Sequence, residues 1–143
     1  EITPESDPTL ILVAELMLDA FRHLPNIRAV AGVALGGCPL ASAVSLQSAL
    51  RGRPIDALYV RKQAKDHGSK RLVEGSLEQG AGVVLLEDVI TTGGSTLHAI
   101  ETLQAEGANV AAVVGSAASL VIGFLGIRLF VFKKSETDSP PTS

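Results

Sequence analysis

Val83–Ser95 reads VVLLEDVITTGGS. Four apolar residues run into two adjacent carboxylates, Glu87 and Asp88, and then into a turn of Thr, Gly and Ser. A short continuous apolar run followed by turn residues is the pattern of a strand buried on both faces, as in a parallel sheet covered by helices. From Gly94 to Glu106 the apolar spacing becomes helical, so the stretch is a strand, a loop carrying the polar chemistry, and a helix.

The same unit recurs on either side. Leu10–Phe21, LILVAELMLDAF, has helical spacing behind ESDPT, which offers capping residues. Ala29–Leu35 is a short buried strand that enters GGCPLASAVSLQSAL, where helical spacing resumes from Pro39. Ile55–Val60 is a second strand, followed by RKQAKDHGSKR, which has no periodic apolar face and reads as a surface loop. Val110–Val114 is a fourth strand and Leu129–Phe132 a fifth. Strands alternating with helices at this spacing predict an α/β fold, a doubly wound, mainly parallel five-stranded sheet flanked by helices with right-handed crossovers. The domain is expected to span residues 1–134, and the polar, proline-bearing residues 135–143 to form a disordered tail.

Composition narrows the function classes. The chain has 143 residues, 46% hydrophobic but only 3% aromatic, with 14 glycines, which suits an aliphatic core and many turns. A net charge of −3 and few aromatic rings exclude a general nucleic-acid binder. One cysteine, Cys38, excludes an intrachain disulfide and multi-cysteine metal sites, fits a reducing compartment, and is expected as a small buried hydrophobe. His23, His67 and His98 lack zinc spacing, and His23 and His98 read as ordinary helix residues. No signal peptide is visible, and a cytoplasmic location is expected. Gly107–Ile127 is uncharged and long enough to cross a bilayer, but Asn109, Ser116, Ser119 and internal glycines interrupt it. It reads better as strand, short helix and return, with no membrane partner. P-loop, dinucleotide and nucleophile-elbow motifs are absent, and there is no internal repeat.

Ligands of doubly wound sheets sit beyond the carboxyl ends of the strands. Three loops fall there. Thr91, Thr92, Gly93, Gly94 and Ser95 precede a helix and can aim N–H groups and hydroxyls at a phosphate. Glu87 and Asp88 sit beside them with acceptors suited to vicinal hydroxyls, so the pair describes a ribose 5-phosphate site. Arg61, Lys62, Lys65, His67, Lys70 and Arg71, against the single acid Asp66, form a cationic loop able to close on a departing diphosphate and exclude water. Gly36 and Gly37, after Leu35, permit close backbone approach to an anion at another helix start.

VVLLEDVITTGGST resembles the phosphoribosyl-pyrophosphate (PRPP) motif of type I phosphoribosyltransferases. AGVALGGCPLASAVS, YVRKQAKDHGSKRLVEG and EDVITTGGS, in this order, resemble the orotate branch over roughly Glu1 to Val114. The resemblance implies transfer of the phosphoribosyl group of PRPP to orotate, giving orotidine 5'-monophosphate and diphosphate in pyrimidine biosynthesis. It implies PRPP contacts along Glu87, Asp88, Val89, Ile90 and Thr91–Ser95, with Thr91 also bordering orotate. Arg61, Lys62, Lys65 and His67 would bind the diphosphate together with Leu35, Gly36 and Gly37. Lys65, His67 and Asp88 would be the catalytic groups. Mg²⁺ would be held mainly by PRPP rather than by protein ligands. A homodimer with shared active sites is implied, the basic loop reaching the neighbouring site. Two departures from the family are visible: its N-terminal lysine and Gly-Ser segment would precede Glu1, and Gly115 and Ser116 stand where it carries Asp-Arg. The alternatives are a non-catalytic PRPP or nucleotide binder on the same fold and, more remotely, a membrane-anchored variant.

Overall fold

The computed structural model describes residues 8–64, 71–88, 93–115 and, for the backbone alone, 130–131. Nine elements follow in chain order: α1 (Pro8–Phe21), β1 (Ile27–Val33), α2 (Gly37–Leu50), β2 (Asp56–Val60), β3 (Val73–Glu74), β4 (Gly82–Glu87), α3 (Gly94–Ala105), β5 (Asn109–Gly115) and β6 (Phe130–Val131). They build one sheet of order β3-β2-β1-β4-β5-β6. The four inner strands pair in parallel, and the two-residue strands β3 and β6 close the edges antiparallel.

The alternation of side chains along each strand divides the core in two. Val30, Val84, Leu86, Ala112 and Val114 face α1 and α2, where Met17, Phe21, Leu40 and Val44 cover them. Ala31, Val33, Leu58, Val83 and Leu85 face the other way, against Ala99 and Leu103 of α3. Every residue of β4 is buried, which accounts for the unbroken apolar run that marked it in the sequence.

The doubly wound α/β architecture and the four parallel strands stand as expected, and the expected fifth strand is the edge strand β6. The sheet has six strands rather than five because Val73–Glu74 adds an edge strand too short to show a period. Helix α2 starts at Gly37, two residues before Pro39, because proline fits an early turn where its missing N–H costs nothing. His23 lies in the turn after α1, not within a helix. Residues 5–7 of the expected cap, Ser116 and the tail 135–143 lie outside the described residues.

Close packing at the head of α2 has a specific requirement. A Cβ on Gly32 of β1 would meet the backbone carbonyl of Gly37, and one on Gly37 would stand 2.9 Å from the carbonyl oxygen of Leu86. Glycine at both positions lets the first turn of α2 rest directly on the ends of β1 and β4. Gly32→Ala should therefore destabilise the chain by about 3 kcal/mol, the upper range for overpacking, because backbone must move. Gly52→Ala, at φ +76° in open space, should cost only the left-handed penalty of about 1 kcal/mol. Urea unfolding of the two variants side by side checks the ranking.

Candidate active site

The register brings the three predicted loops to one edge. Gly32 pairs with Tyr59 on one side and Leu86 on the other, Val33 with Val60, and Glu87 with Gly115. The loops after β1, β2 and β4 thus leave the sheet at adjacent points, on its carboxyl edge. The central strand β1 lies between β2 and β4, where the chain reverses its direction of travel across the sheet. Crevices at such switch points are the ligand sites of this architecture.

Two helices start at this edge, and both start on glycine. Gly36 precedes α2 and Gly93, at φ 81°, precedes α3; neither helix receives a side-chain cap. The N–H groups of their first turns therefore have no side-chain acceptor from the cap position, an arrangement suited to an anion. Leu35, in the turn from β1 to Gly36, is 86% exposed. Gly94 and Ser95 are exposed at the head of α3. Asp88 follows β4 and is exposed, and its carboxylate lies against Gly36, in the space a Cβ there would occupy. The loop after β1 and the loop after β4 meet at this contact.

The two adjacent acids have different surroundings. Glu87 is the last residue of β4, only 6% exposed, and its Oε2 accepts a 2.6 Å hydrogen bond from Thr96 Oγ1. Thr96, in the first turn of α3, is itself buried. Sequence reasoning placed both carboxylates at the mouth of the strand as equals and passed over Thr96. Strand alternation, which turns Glu87 and Asp88 to opposite faces, holds part of the signal; Thr96 comes to Glu87 only through the packing of α3.

The basic loop is described only at its ends. Arg61, half-buried at the end of β2, donates through Nε to Glu74 Oε1 at 3.0 Å, while its backbone N–H bonds Leu72. Lys62 is exposed beside it. The Arg61–Glu74 ion pair across β2 and β3 fixes the root of the loop, a role the sequence did not suggest for the RLVEG segment. Arg61 also acts on Cys38, in the first turn of α2. Burial raises the thiol's pKa above its ordinary value and the arginine's charge pulls it down. Cys38 is half-buried rather than fully enclosed. Ser42 of α2 and the Tyr59 hydroxyl share a hydrogen bond at 2.9 Å, tying the helix to β2. Lys65, His67, Val89, Ile90, Thr91 and Thr92 lie outside the described residues. Among the described residues no group of three or more His, Cys, Asp or Glu could hold a metal, and no helix is long and apolar enough to cross a membrane.

Comparison with known proteins gives a consistent answer. Orotate phosphoribosyltransferase of Sorangium cellulosum is 60% identical over 119 residues, covering 82% of this chain and 62% of the relative. That of Thermosynechococcus vestitus is 50% identical over 105 residues, 73% of this chain and 54% of the relative. The chain therefore spans a little over half the length of these relatives. Among solved structures, Mycobacterium tuberculosis orotate phosphoribosyltransferase in complex with 5-phospho-alpha-D-ribosyl 1-diphosphate is similar with a TM-score of 0.62 and 36% identity, over 75% of this chain and 58% of that one. Residues 5–122 match the family described as "Phosphoribosyl transferase domain", and with two glycine-headed helices at the carboxyl edge of its sheet this chain belongs to that family.

Proposed function

We propose that this chain carries the PRPP-binding core of an orotate phosphoribosyltransferase. The observation that carries the reading is the contact between Asp88 and Gly36, which joins the acid of one loop to the glycine turn of another at the switch point. A phosphoribosyl diphosphate needs three things held together: a 5-phosphate, a diol and a diphosphate. The uncapped head of α3, with Thr91 to Ser95, suits the phosphate. Asp88 suits the ribose hydroxyls, with Glu87 beneath it held by Thr96. The Leu35–Gly37 turn, Arg61, Lys62, Lys65 and His67 suit the diphosphate.

In the reaction, N1 of orotate bonds to the anomeric carbon of the ribose as the bond to the diphosphate oxygen breaks. The electron pair leaves with the diphosphate and the proton of N1 is given up to solvent or to the departing diphosphate, so negative charge grows on the diphosphate, which Arg61, Lys62 and the head of α2 are suited to meet. Donors set in advance at that point stabilise the transition state more than the ground state. A Mg²⁺ would be held mainly by substrate oxygens and water, as magnesium prefers, with the exposed Asp88 carboxylate at hand. Such an ion would supply further neutralisation of the diphosphate. The working form is a homodimer whose basic loop serves the neighbouring site, in the cytoplasm. The second reading, PRPP binding without turnover, is favoured by Gly115, which pairs with Glu87 at the position where the resemblance leads one to expect an acidic residue followed by arginine.

Release of diphosphate from PRPP, dependent on orotate and Mg²⁺, tests the proposal; PRPP binding without release would favour the second reading. Asp88→Asn should weaken PRPP binding by about 1.5–3 kcal/mol, the range for a hydrogen bond to a charged group, with the fold intact. Unchanged affinity by calorimetry would remove Asp88 from the ribose. Thr96→Val should raise KM for PRPP and Thr96→Ser restore it, because only the hydroxyl holds Glu87 in place; equal kinetics for the two variants would deny the hydroxyl this role. Lys65→Ala should lower kcat more than PRPP affinity. Mixed with Asp88→Asn chains, it should regain partial activity if the loop crosses between subunits, and hybrid dimers without activity would place the loop in its own site.

A further inference from the structure

The opposite edge of the sheet holds a second concavity that the proposed reaction does not use. The last turn of α1, the turn leading into β1, the end of α2 and the link into β2 border an open cavity of about 630 Å³. Phe21, Leu24, Ile27 and Ile55 give it an apolar wall. Arg22, Arg28, Arg51 and Arg53 also line it, four of the twelve Lys and Arg residues in a chain of net charge −3. The one acid in the lining, Asp19, is taken up by Arg51 at 3.2 Å, and Glu15 meets the same arginine at 3.6 Å. Arg22, Arg28 and Arg53 make no ion pair among the described residues. All three are exposed, and they stand on three different segments around one cavity.

We infer that this cavity binds a phosphate ester with a planar apolar body, the class of a nucleoside monophosphate. The volume lies within the usual range of small-molecule sites, about 300–1,000 Å³. A guanidinium pairs two-pronged with phosphate and also stacks on flat rings, so the arginines serve both parts of such a ligand. The apolar wall gives the ring a surface on which to leave water. A bare anion would use the arginines alone, and an extended polyanion would ask for a basic stripe rather than a cavity. The site is separate from the carboxyl-edge crevice, since Arg28 stands at the start of β1 and Gly36 lies beyond its end.

The test is a titration of the 143-residue chain with adenosine 5'-monophosphate and, separately, inorganic phosphate, followed by backbone amide chemical shifts. The nucleotide should shift Asn26, Arg28, Arg53 and Ile55 saturably, and phosphate should bind there about tenfold more weakly, as expected if the ring adds contact. Arg28→Ala with Arg53→Ala should lower nucleotide affinity at this site by about tenfold or more, with the thermal melt unchanged. Arg53→Ala alone gives the same reading should the double variant fail to fold. Shifts confined to residues 36–38 and 93–96, phosphate binding as tightly as the nucleotide, or no saturable shift at all would each overturn the inference.

Discussion

The first turn of α2 rests on bare backbone. Gly32 of β1, Gly37 of α2 and the carbonyl of Leu86 in β4 approach so closely that no side chain fits between them. Because β1 and β4 are neighbours, this contact sets the helix over the junction of the two strands and fixes where its N–H groups point. Leu40, Ala41 and Val44 then reach the core shared with α1, and Ser42 reaches Tyr59 on β2. Gly36, one residue before the helix, is left at the rim with room for the carboxylate of Asp88. The position of the helix and of the glycine turn before it therefore follows from one steric condition.

The acid pair shows how a sheet divides labour between neighbours. Successive residues of a strand face opposite ways, so Glu87 turns toward α3 and is closed in by Thr96, while Asp88, one residue on, emerges at the crevice. A buried carboxylate needs a donor to offset its lost hydration, and Thr96 supplies it from the helix that follows. The chain has thereby coupled the end of β4 to the start of α3 across the intervening turn. At the far side of the crevice, Arg61 and Glu74 do the same for the two ends of the basic loop.

The parts of this arrangement legible in the sequence are those written in runs. β4 is buried throughout and could be read from VVLL, and the helical spacing of α1, α2 and α3 placed them within a few residues of their ends. The glycine turns and the basic loop announced the carboxyl edge through residue type alone. Val73–Glu74 could not be read, because two residues have no period and the strand exists only through its pairing with Tyr59 and Val60. Thr96 and Glu74 escaped for a related reason. Each is ordinary in its local sequence, and its importance comes from a partner nine or thirteen residues away that folding brings to it. The separate fates of Glu87 and Asp88 needed the strand's end to be known to one residue, finer than apolar patterns define. The arginine-lined cavity was invisible because its four arginines are scattered from Arg22 to Arg53 among unremarkable neighbours.

Glycine at both helix heads has a thermodynamic consequence beyond geometry. Serine, threonine or aspartate, the usual residues before a helix, bond the first-turn N–H groups from within the chain. With Gly36 and Gly93 instead, no cap side chain takes up those groups; Cys38 N–H bonds the Leu35 carbonyl, and an arriving anion can serve as acceptor for others. Folding and occupancy then become linked quantities, since whatever binds the native state alone raises its stability in proportion to the logarithm of its concentration. If phosphate compounds bind there as proposed, resistance of this domain to heat is a property of its surroundings as well as of its sequence, rising and falling with their supply.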